Sequence, residues 1–157
     1  MEENTRAPRI VVGVDGSEGS VEALRQAHRI AAPLGARIEA TACWDYPRMA
    51  DGYELMGIGG FEERAGEILE ETLVKAYGDE RPASVESVVR QGNARPILIE
   101  ASRDADMLIV GRRGHGGFHG LLLGSVSSAC VARAHCPVLV VHAPDRKADK
   151  KEDARPS

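Results

Sequence analysis

Short runs of apolar, mainly β-branched residues alternate along the chain with longer stretches whose apolar residues recur at helical spacing. A short apolar run bounded by turn residues is typical of a strand that is buried on both faces of a sheet. The pattern predicts five strands, at residues 9–15, 36–43, 84–90, 106–111 and 137–142. It also predicts four helices: the first extends from the capping residue Ser17 up to Pro33, and the others lie at residues 61–77, 94–103 and 125–135.

Strands that alternate with helices favour an α/β fold, because each helix returns the chain to start the next strand parallel to the last. The expected architecture is a single-domain, open, doubly wound parallel sheet of five strands with helices on both faces. In such sheets ligands bind at the carboxyl ends of the strands, where the winding reverses. The two most apolar strands end at Asp15 and Gly111, and we expect them to be neighbours there.

The length of 157 residues is typical of one domain. We expect a flexible segment at 1–8, a folded domain at 9–143 and a charged, flexible tail at 144–157. The formal charge of −4 gives no overall attraction to nucleic acid or to an acidic membrane. No stretch approaches the roughly 18 apolar residues of a membrane span, and residues 1–8 form no apolar leader, so we expect a cytoplasmic protein.

The three cysteines, Cys43, Cys130 and Cys136, have no CxxC spacing and lie in apolar surroundings, which favours buried thiols. The five histidines are too scattered along the sequence to complete a zinc site. We therefore expect no metal ion held by protein side chains alone.

A glycine-rich segment from Gly111 to Gly124 joins the fourth strand to the last helix, whose first turn carries Ser125 and Ser127. The first N–H groups of a helix have no partners inside it and bind anions readily. Glycines let the backbone approach phosphate oxygens closely, and the Ser125 hydroxyl adds a donor. The segment therefore favours a phosphate site. The alternative is that the glycines only turn the chain and Ser125 only caps the helix.

Two familiar phosphate-binding motifs are absent from the sequence. It contains no Gly-x-x-x-x-Gly-Lys-[Ser/Thr] loop. The first strand–helix turn, Gly13-Val-Asp15-Gly16-Ser17, lacks the dinucleotide fingerprint. These absences argue against a P-loop NTPase and against an NAD-dependent enzyme.

The spacing Gly111-x2-Gly114-x9-Gly124-Ser125 resembles the motif of the universal stress protein family, in its ATP-binding branch. The segments 11–17 and 137–141, together with Gly92, extend the resemblance over residues 9–142. The resemblance implies a sheet of strand order 3-2-1-4-5 and a site for ATP with Mg²⁺. It also implies a role in stress response.

The resemblance implies a role for each residue that matches the family's site. The implied nucleotide-binding residues are Asp15, Cys43, Gly111, Gly114, Gly124, Ser125, Val126 and Ser127. Asp15 corresponds to an aspartate beside the ribose and phosphates, and Cys43 to the residue that contacts adenine. The three glycines and Ser125 match the phosphate and ribose loop, which Ser127 extends, while Val126 packs behind it or offers only its N–H. For Asp15, an Asx turn that merely shapes the start of the first helix is the alternative.

Four residues beside the motif positions keep alternative interpretations. Arg112 and Arg113 either clamp phosphates or point to solvent. His115 and His119 suggest a general base, but a histidine in a glycine-rich loop is more often a surface or partner contact.

The long loop at 44–60 is rich in glycine, proline and aromatic residues. Loops of this length are often functional or mobile, and this one could form a lid. Trp44 and Tyr46 either stack near adenine or anchor the loop on the core.

Two functions fit the sequence. In the first, bound ATP is a signal that a regulatory protein partner detects, so the chain is a nucleotide-dependent sensor. The alternative is a slow ATPase or phosphotransferase that uses the same site. The sequence offers no P-loop lysine, no paired carboxylates and no obvious water-orienting residue, so we expect at most weak hydrolysis.

The apolar last strand, at residues Val138 to Val141, is expected at an edge of the sheet. Exposed apolar edges pair readily with another copy of the chain. The resemblance also implies a homodimer through this strand. The alternative is that the charged tail after residue 144 covers the edge.

Overall fold

The computed structural model describes residues 6–47, 59–114 and 122–144. Within these ranges every predicted strand and helix is present. The strands are β1 Arg9–Val14, β2 Arg37–Trp44, β3 Val85–Gln91, β4 Met107–Gly111 and β5 Val138–Val141. The helices are α1 Glu18–Leu34, α2 Phe61–Tyr77, α3 Ala94–Ala101 and α4 Ser125–Arg133, with a 3-10 turn after α3 at Ser102–Asp104.

Some predictions concern residues outside these ranges. His115 and His119, residues 48–58 of the long loop and residues 145–157 of the tail lie outside the described residues. The helices that the structure does describe include none that is long and apolar enough to cross a membrane.

The five strands form one parallel sheet of order β3-β2-β1-β4-β5, as predicted. β1 pairs with β2 along its whole length, from Arg9 to Val14. With β4 it pairs only from Ile10, opposite Met107, to Val12, opposite Ile109. β1 and β4 therefore separate at their carboxyl ends, at the point where the winding reverses and open α/β sheets bind ligands.

The helices cover both faces of the sheet, because neighbouring strand residues point to opposite sides. On one face α1 and α2 pack over a core that includes Ile10, Val12, Leu24, Ile38, Leu69 and Leu73. On the other face α3 and α4 pack over Val11, Leu98, Leu108, Val110 and Cys130. The sequence prediction of a two-sided α/β layer is confirmed.

The helix ends show where local signals act and where they fail. Ser17 caps α1 as predicted, since its side chain accepts a hydrogen bond from the Ser20 N–H at 3.2 Å. The helix continues through Pro33 and stops at Gly35, whose φ of 61° is left-handed. The last helix, α4, ends at Arg133, two residues before the predicted limit, because Ala134 is already extended, with a ψ of 153°, and the His135 N–H donates to the Ser102 hydroxyl instead of within the helix.

The third helix is also shorter than predicted. α3 ends at Ala101, and the chain then tightens into the 3-10 turn. The fully buried Ser102 stabilises this turn, because its hydroxyl donates to Ile99 O at 2.5 Å and accepts from the His135 N–H at 2.9 Å. This tertiary contact has no signature in the local sequence.

Two glycines bring β4 and α1 into direct backbone contact. A Cβ added at Gly111, the last residue of β4, would lie 2.9 Å from the carbonyl carbon of Gly19 in the first turn of α1. A Cβ added at Gly19 would lie 3.3 Å from Gly111 Cα and 3.2 Å from Arg113 O. A side chain at Gly111 would therefore force the strand and helix apart.

We predict that Gly111→Ala destabilises the fold by about 1–3 kcal/mol, the usual cost of forcing extra volume into a packed site. Gly66→Ala is the matched control, since Gly66 lies within α2 and a Cβ there meets no atom within 4 Å. It should stabilise the protein by about 0.5–1 kcal/mol through helix propensity. Urea unfolding measures both values, and equal midpoints for the two variants would contradict the prediction.

Candidate functional site

A cavity of about 450 Å³ lies at the carboxyl ends of the strands, beside the gap between β1 and β4. Its volume is within the range typical of small-molecule sites. All eight residues predicted from the sequence line it: Asp15, Cys43, Gly111, Gly114, Gly124, Ser125, Val126 and Ser127. The structure thus brings together residues from β1, β2, β4 and α4 and the turns after them.

Nine further residues line the cavity, and one of them, Arg113, is an alternative that the sequence left open. Sequence reasoning missed the other eight: Gly13, Val14, Ser17, Ser20, Thr41, Ala94, Leu98 and Val110. Among them, Thr41 precedes Cys43 by two positions on β2, and alternation along a strand could have pointed to it. The apolar wall from α3 has no such signal, because only the tertiary structure shows which helix covers the end of β1.

The polar end of the cavity is formed by the start of α4. The first intrahelical bond joins the Ser128 N–H to Gly124 O at 2.9 Å. The N–H groups of Ser125, Val126 and Ser127 precede that bond and have no acceptor within the helix. Gly124 is the N-cap and makes no side-chain cap bond. The alternative that Ser125 only caps the helix is therefore wrong, and its side chain is exposed.

Ser127 lines the cavity and also makes hydrogen bonds that hold the start of α4. Its buried hydroxyl lies 2.7 Å from Arg112 O and 3.1 Å from Gly124 O, and it donates to these carbonyls. The Gly124 N–H also donates to Arg112 O, at 2.8 Å. These bonds tie the start of α4 to the segment that follows β4, and they fix the direction in which the helix amides point.

Asp15 uses its two carboxylate oxygens differently. Oδ1 accepts a hydrogen bond from the Ser17 N–H at 2.9 Å, which is the predicted Asx turn. Oδ2 lies against Gly114, where an added Cβ would overlap it. Asp15 therefore shapes the start of α1 and also stands, exposed, at the polar end of the cavity.

The two arginines after β4 differ in position. Arg113 lines the cavity, whereas Arg112 does not and contributes the carbonyl that holds the start of α4. The interpretation as a phosphate clamp consequently applies to Arg113. Arg112 serves the backbone geometry of the site.

The opposite end of the cavity lies at the end of β2. Backbone N–H and C=O groups of a strand point alternately to its two neighbours, and the Arg37 N–H donates to Pro8 O on the β1 side at 2.8 Å. Cys43 lies six residues after Arg37 on the same strand, so its backbone N–H and C=O groups also point to the β1 side. β1 pairs no further than Val14, opposite Ala42. The Cys43 carbonyl therefore extends beyond the last paired residue of β1, toward the cavity.

The walls near this end are apolar and closely fitted. A Cβ added at Gly13 would lie 2.9 Å from Leu98 Cδ1, so a side chain there would require the Leu98 side chain to shift. Ala94 of α3 continues this apolar wall, while Val110 of β4 and Val126 of α4 add apolar surface on the side of the cavity where α4 begins. A flat, apolar group of a ligand would find contact surface here.

The cysteine thiols are protonated at neutral pH. Burial raises the pKa of Cys43 to about 11, against a smaller opposing effect of the positive charge on Arg90. Burial likewise raises the pKa of Cys130 to about 11. Only Cys130 is fully buried, while Cys43 and Cys136 are partly exposed, which corrects the expectation of three buried thiols. The Cys43 side chain is thus a neutral part of the wall rather than a thiolate nucleophile.

The aromatic residues at the start of the long loop lie away from the cavity. Trp44 and Tyr46 pack edge to face with ring centroids 5.4 Å apart, and Tyr46 packs in the same way on Phe61 at 5.6 Å. Neither Trp44 nor Tyr46 lines the cavity. Of the two sequence interpretations, the structure supports the anchoring of the loop to the start of α2.

Acidic groups are sparse in the site. Among the described lining residues Asp15 is the one carboxylate. Within the described ranges no group of three or more His, Cys, Asp or Glu residues could hold a metal ion. A metal ion in this cavity would need ligand atoms from a bound molecule or from water.

Comparison with known proteins places the fold in a family. A profile described as the universal stress protein family matches residues 7–142. Universal stress protein Rv2623 of Mycobacterium tuberculosis is 33% identical over 147 residues, which cover 87% of this chain and 48% of the relative. The chain thus spans about half the length of the curated relatives that it matches first.

Solved structures share the architecture. Universal stress protein UspA from Lactobacillus plantarum has a TM-score of 0.70 at 21% identity, over 88% of this chain and 99% of that chain, which concerns the fold alone. A universal stress protein in complex with cAMP has a TM-score of 0.57 at 25% identity, over 89% of this chain and 100% of that chain. With the profile covering most of its length, this chain belongs to the universal stress protein family.

Proposed function

We propose that this chain binds ATP with Mg²⁺ in the cavity and acts as a nucleotide-dependent regulatory protein of the stress response. The observation that carries the proposal is the polarity of the cavity. Helix amides and an arginine lie at one end, and apolar walls with a strand-end carbonyl lie at the other. An adenine nucleotide has the same polarity, with charged phosphates at one end and a flat base at the other.

The phosphates fit the start of α4. Three N–H groups at the positive end of the helix dipole converge there, and the exposed Ser125 hydroxyl adds a donor. The Arg113 side chain is a candidate for a charge-assisted contact. Micromolar affinity requires only about −8 kcal/mol in total, which these contacts and burial of the base can supply.

Mg²⁺ fits the site only as part of a nucleotide complex. It usually takes one or two carboxylates, several waters and phosphate oxygens rather than an all-protein cage. Asp15, an exposed carboxylate at the polar end of the cavity, would be the protein group nearest to it. The ion would neutralise phosphate charge there.

The cAMP complex of the related protein supports an adenine nucleotide as the ligand class. ATP as the particular nucleotide is what the resemblance of the glycine and serine motif to the ATP-binding branch of the family implies. A regulatory partner would then detect the nucleotide-bound form. Three free cysteines fit a cytoplasmic location, where thiols stay reduced.

A homodimer through β5 is part of the proposal. Pro137 O and Val141 O accept N–H groups from β4 and from the residue that follows it, at 3.0 and 2.8 Å. By alternation Val138 and Val140 turn their N–H and C=O groups to the open side of the sheet. This edge carries partly buried apolar side chains and can pair with a second copy.

We predict that Ser125→Glu weakens Mg·ATP binding by at least about tenfold, equivalent to about 1.4 kcal/mol, because its carboxylate repels the phosphates. The fold should keep its stability, since an acidic residue in the first turn of a helix is favourable. Calorimetric titration measures the affinity, and thermal unfolding measures the stability.

Ser128→Glu is the matched control. Ser128 is exposed on the same helix and does not line the cavity, so this variant should bind Mg·ATP like the wild type. Equal affinity of Ser125→Glu and wild type would refute the phosphate position. A wild type that binds no adenine nucleotide would overturn the proposed function.

We further predict that bound ATP remains intact for hours. The described lining offers groups that can bind a nucleotide, but it contains a single carboxylate and no lysine. These groups give little support for phosphoryl transfer. Chromatography of the nucleotide after incubation with excess protein tests this. Conversion to ADP within minutes, abolished in Asp15→Asn, would instead make the chain an enzyme.

For the dimer we predict that Val140→Pro gives a folded monomer. The substitution removes an N–H on the open side and leaves the β4 side of the ladder intact, and proline is tolerated on edge strands. Ser87→Pro is the control on the opposite edge, β3, and should remain dimeric. Size-exclusion chromatography with light scattering decides, and a monomeric wild type at micromolar concentration would refute the dimer.

A further inference from the structure

The end of the cavity beside β2, called the strand end below, contains a buried hydroxyl. Thr41 is 1% exposed and lines the cavity from β2. Its strand neighbours Ala40 and Ala42 belong to the core on the opposite face of the sheet. Thr41 therefore lies on the same face as Cys43, where the proposed function puts the base of the nucleotide.

The Thr41 hydroxyl points its hydrogen at a neighbouring carboxylate. Thr41 Oγ1 lies 3.4 Å from Glu39 Oε1 and donates to it. A carboxylate accepts hydrogen bonds and has no hydrogen to donate. The Thr41 oxygen consequently keeps only lone pairs for any further partner, so toward a ligand it is an acceptor.

Glu39 is itself held in place by an arginine. It is 9% exposed, and its other oxygen, Oε2, accepts from Arg9 Nε at 2.9 Å and from Nη2 at 2.5 Å. Arg9 Nη1 also donates to Ala101 O at 3.3 Å, which joins β1 and β2 to the end of α3. Arg9 thus occupies Oε2 and leaves Oε1 facing Thr41.

We infer that Thr41 determines the base specificity of the site by accepting a hydrogen bond from the 6-amino group of adenine. A purine with a 6-keto oxygen, such as hypoxanthine or guanine, puts a second acceptor against the Thr41 oxygen and is disfavoured. Sites built to pair a ligand N–H discriminate against analogues that lack it, because buried polar groups are left unpaired. Glu39 is a positioning residue that acts through Thr41. The inference rests on the proposed function, since it requires a nucleotide in the cavity.

ATP and inosine triphosphate are the appropriate probes, because their phosphates and sugar are the same. Their bases differ in the 6-substituent and in the hydrogen that the 6-keto form carries on N1, and the Thr41 variants isolate the contribution of the 6-substituent. The wild type should prefer ATP, and Thr41→Val, which keeps the shape and removes the acceptor, should reduce the ratio of the two affinities by about tenfold. Thr41→Ser keeps a hydroxyl and should preserve most of the preference. Calorimetric titration with each nucleotide and Mg²⁺ gives the ratio.

Thr72→Val is the matched control for a buried threonine. Thr72 is 2% exposed, and its hydroxyl donates to Ile68 O at 2.6 Å inside α2, away from the cavity. This variant should keep the wild-type ratio of affinities. Circular dichroism verifies that each variant is folded.

Glu39→Gln tests the positioning role. The glutamine carbonyl can still accept from Arg9, while its amide can donate to Thr41 and release the Thr41 hydrogen toward the ligand. The preference should then shift toward inosine triphosphate. A merely structural role of Glu39 would lower both affinities together and leave their ratio unchanged.

The results separate the two proposals. A wild type that binds ATP but not preferentially, or a Thr41→Val protein that keeps the full preference, would overturn the role of Thr41 and leave the proposed function standing. A wild type that binds neither nucleotide would overturn both. Loss of preference in Thr41→Val, with retention in Thr41→Ser and Thr72→Val, supports the inference.

Discussion

At Gly111 and Gly19 the last residue of β4 and the first turn of α1 touch backbone to backbone. This contact lets α1 begin close to the point where β1 and β4 separate, so its Ser17 and Ser20 help to line the cavity. It also brings the segment after β4 past Asp15, whose carboxylate lies against Gly114. The polar end of the site depends on this approach, because a side chain at Gly111 would move the segment from which α4 starts.

Glycine thus stands at each motif position for a different physical reason. Gly111 is required by packing against the backbone of α1, whereas a Cβ at Gly114 would overlap the Asp15 carboxylate in its present position. Gly124 is the N-cap of α4, and a Cβ there would meet Arg113 Cα at an ordinary 3.4 Å. The glycine-rich segment therefore owes part of its composition to the path of the chain. The proposed contact of backbone with phosphate is a further use of the same geometry.

The two ends of the cavity are supported by different interactions. At the polar end, main-chain bonds and the Ser127 hydroxyl fix the start of α4. At the strand end, Glu39, which is paired with Arg9, accepts the hydrogen bond of the Thr41 hydroxyl. A ligand that spans the cavity would contact both, so its affinity and its base preference would respond to different substitutions.

The sequence by itself determined the α/β alternation, because buried parallel strands and amphipathic helices have different apolar periods. Its resemblance to a known family also implied eight site residues that the structure brings to one cavity. The ends of the third and fourth helices were misjudged, since they depend on the contact between Ser102 and the His135 N–H, which lie far apart in the chain. Only the tertiary structure decided which faces meet: that α3 supplies Leu98 to the wall, that Trp44 turns away, and that Glu39 directs the Thr41 hydroxyl. Such pairings join residues far apart in the chain or depend on side-chain direction. The apolar pattern along one strand gives no information about either.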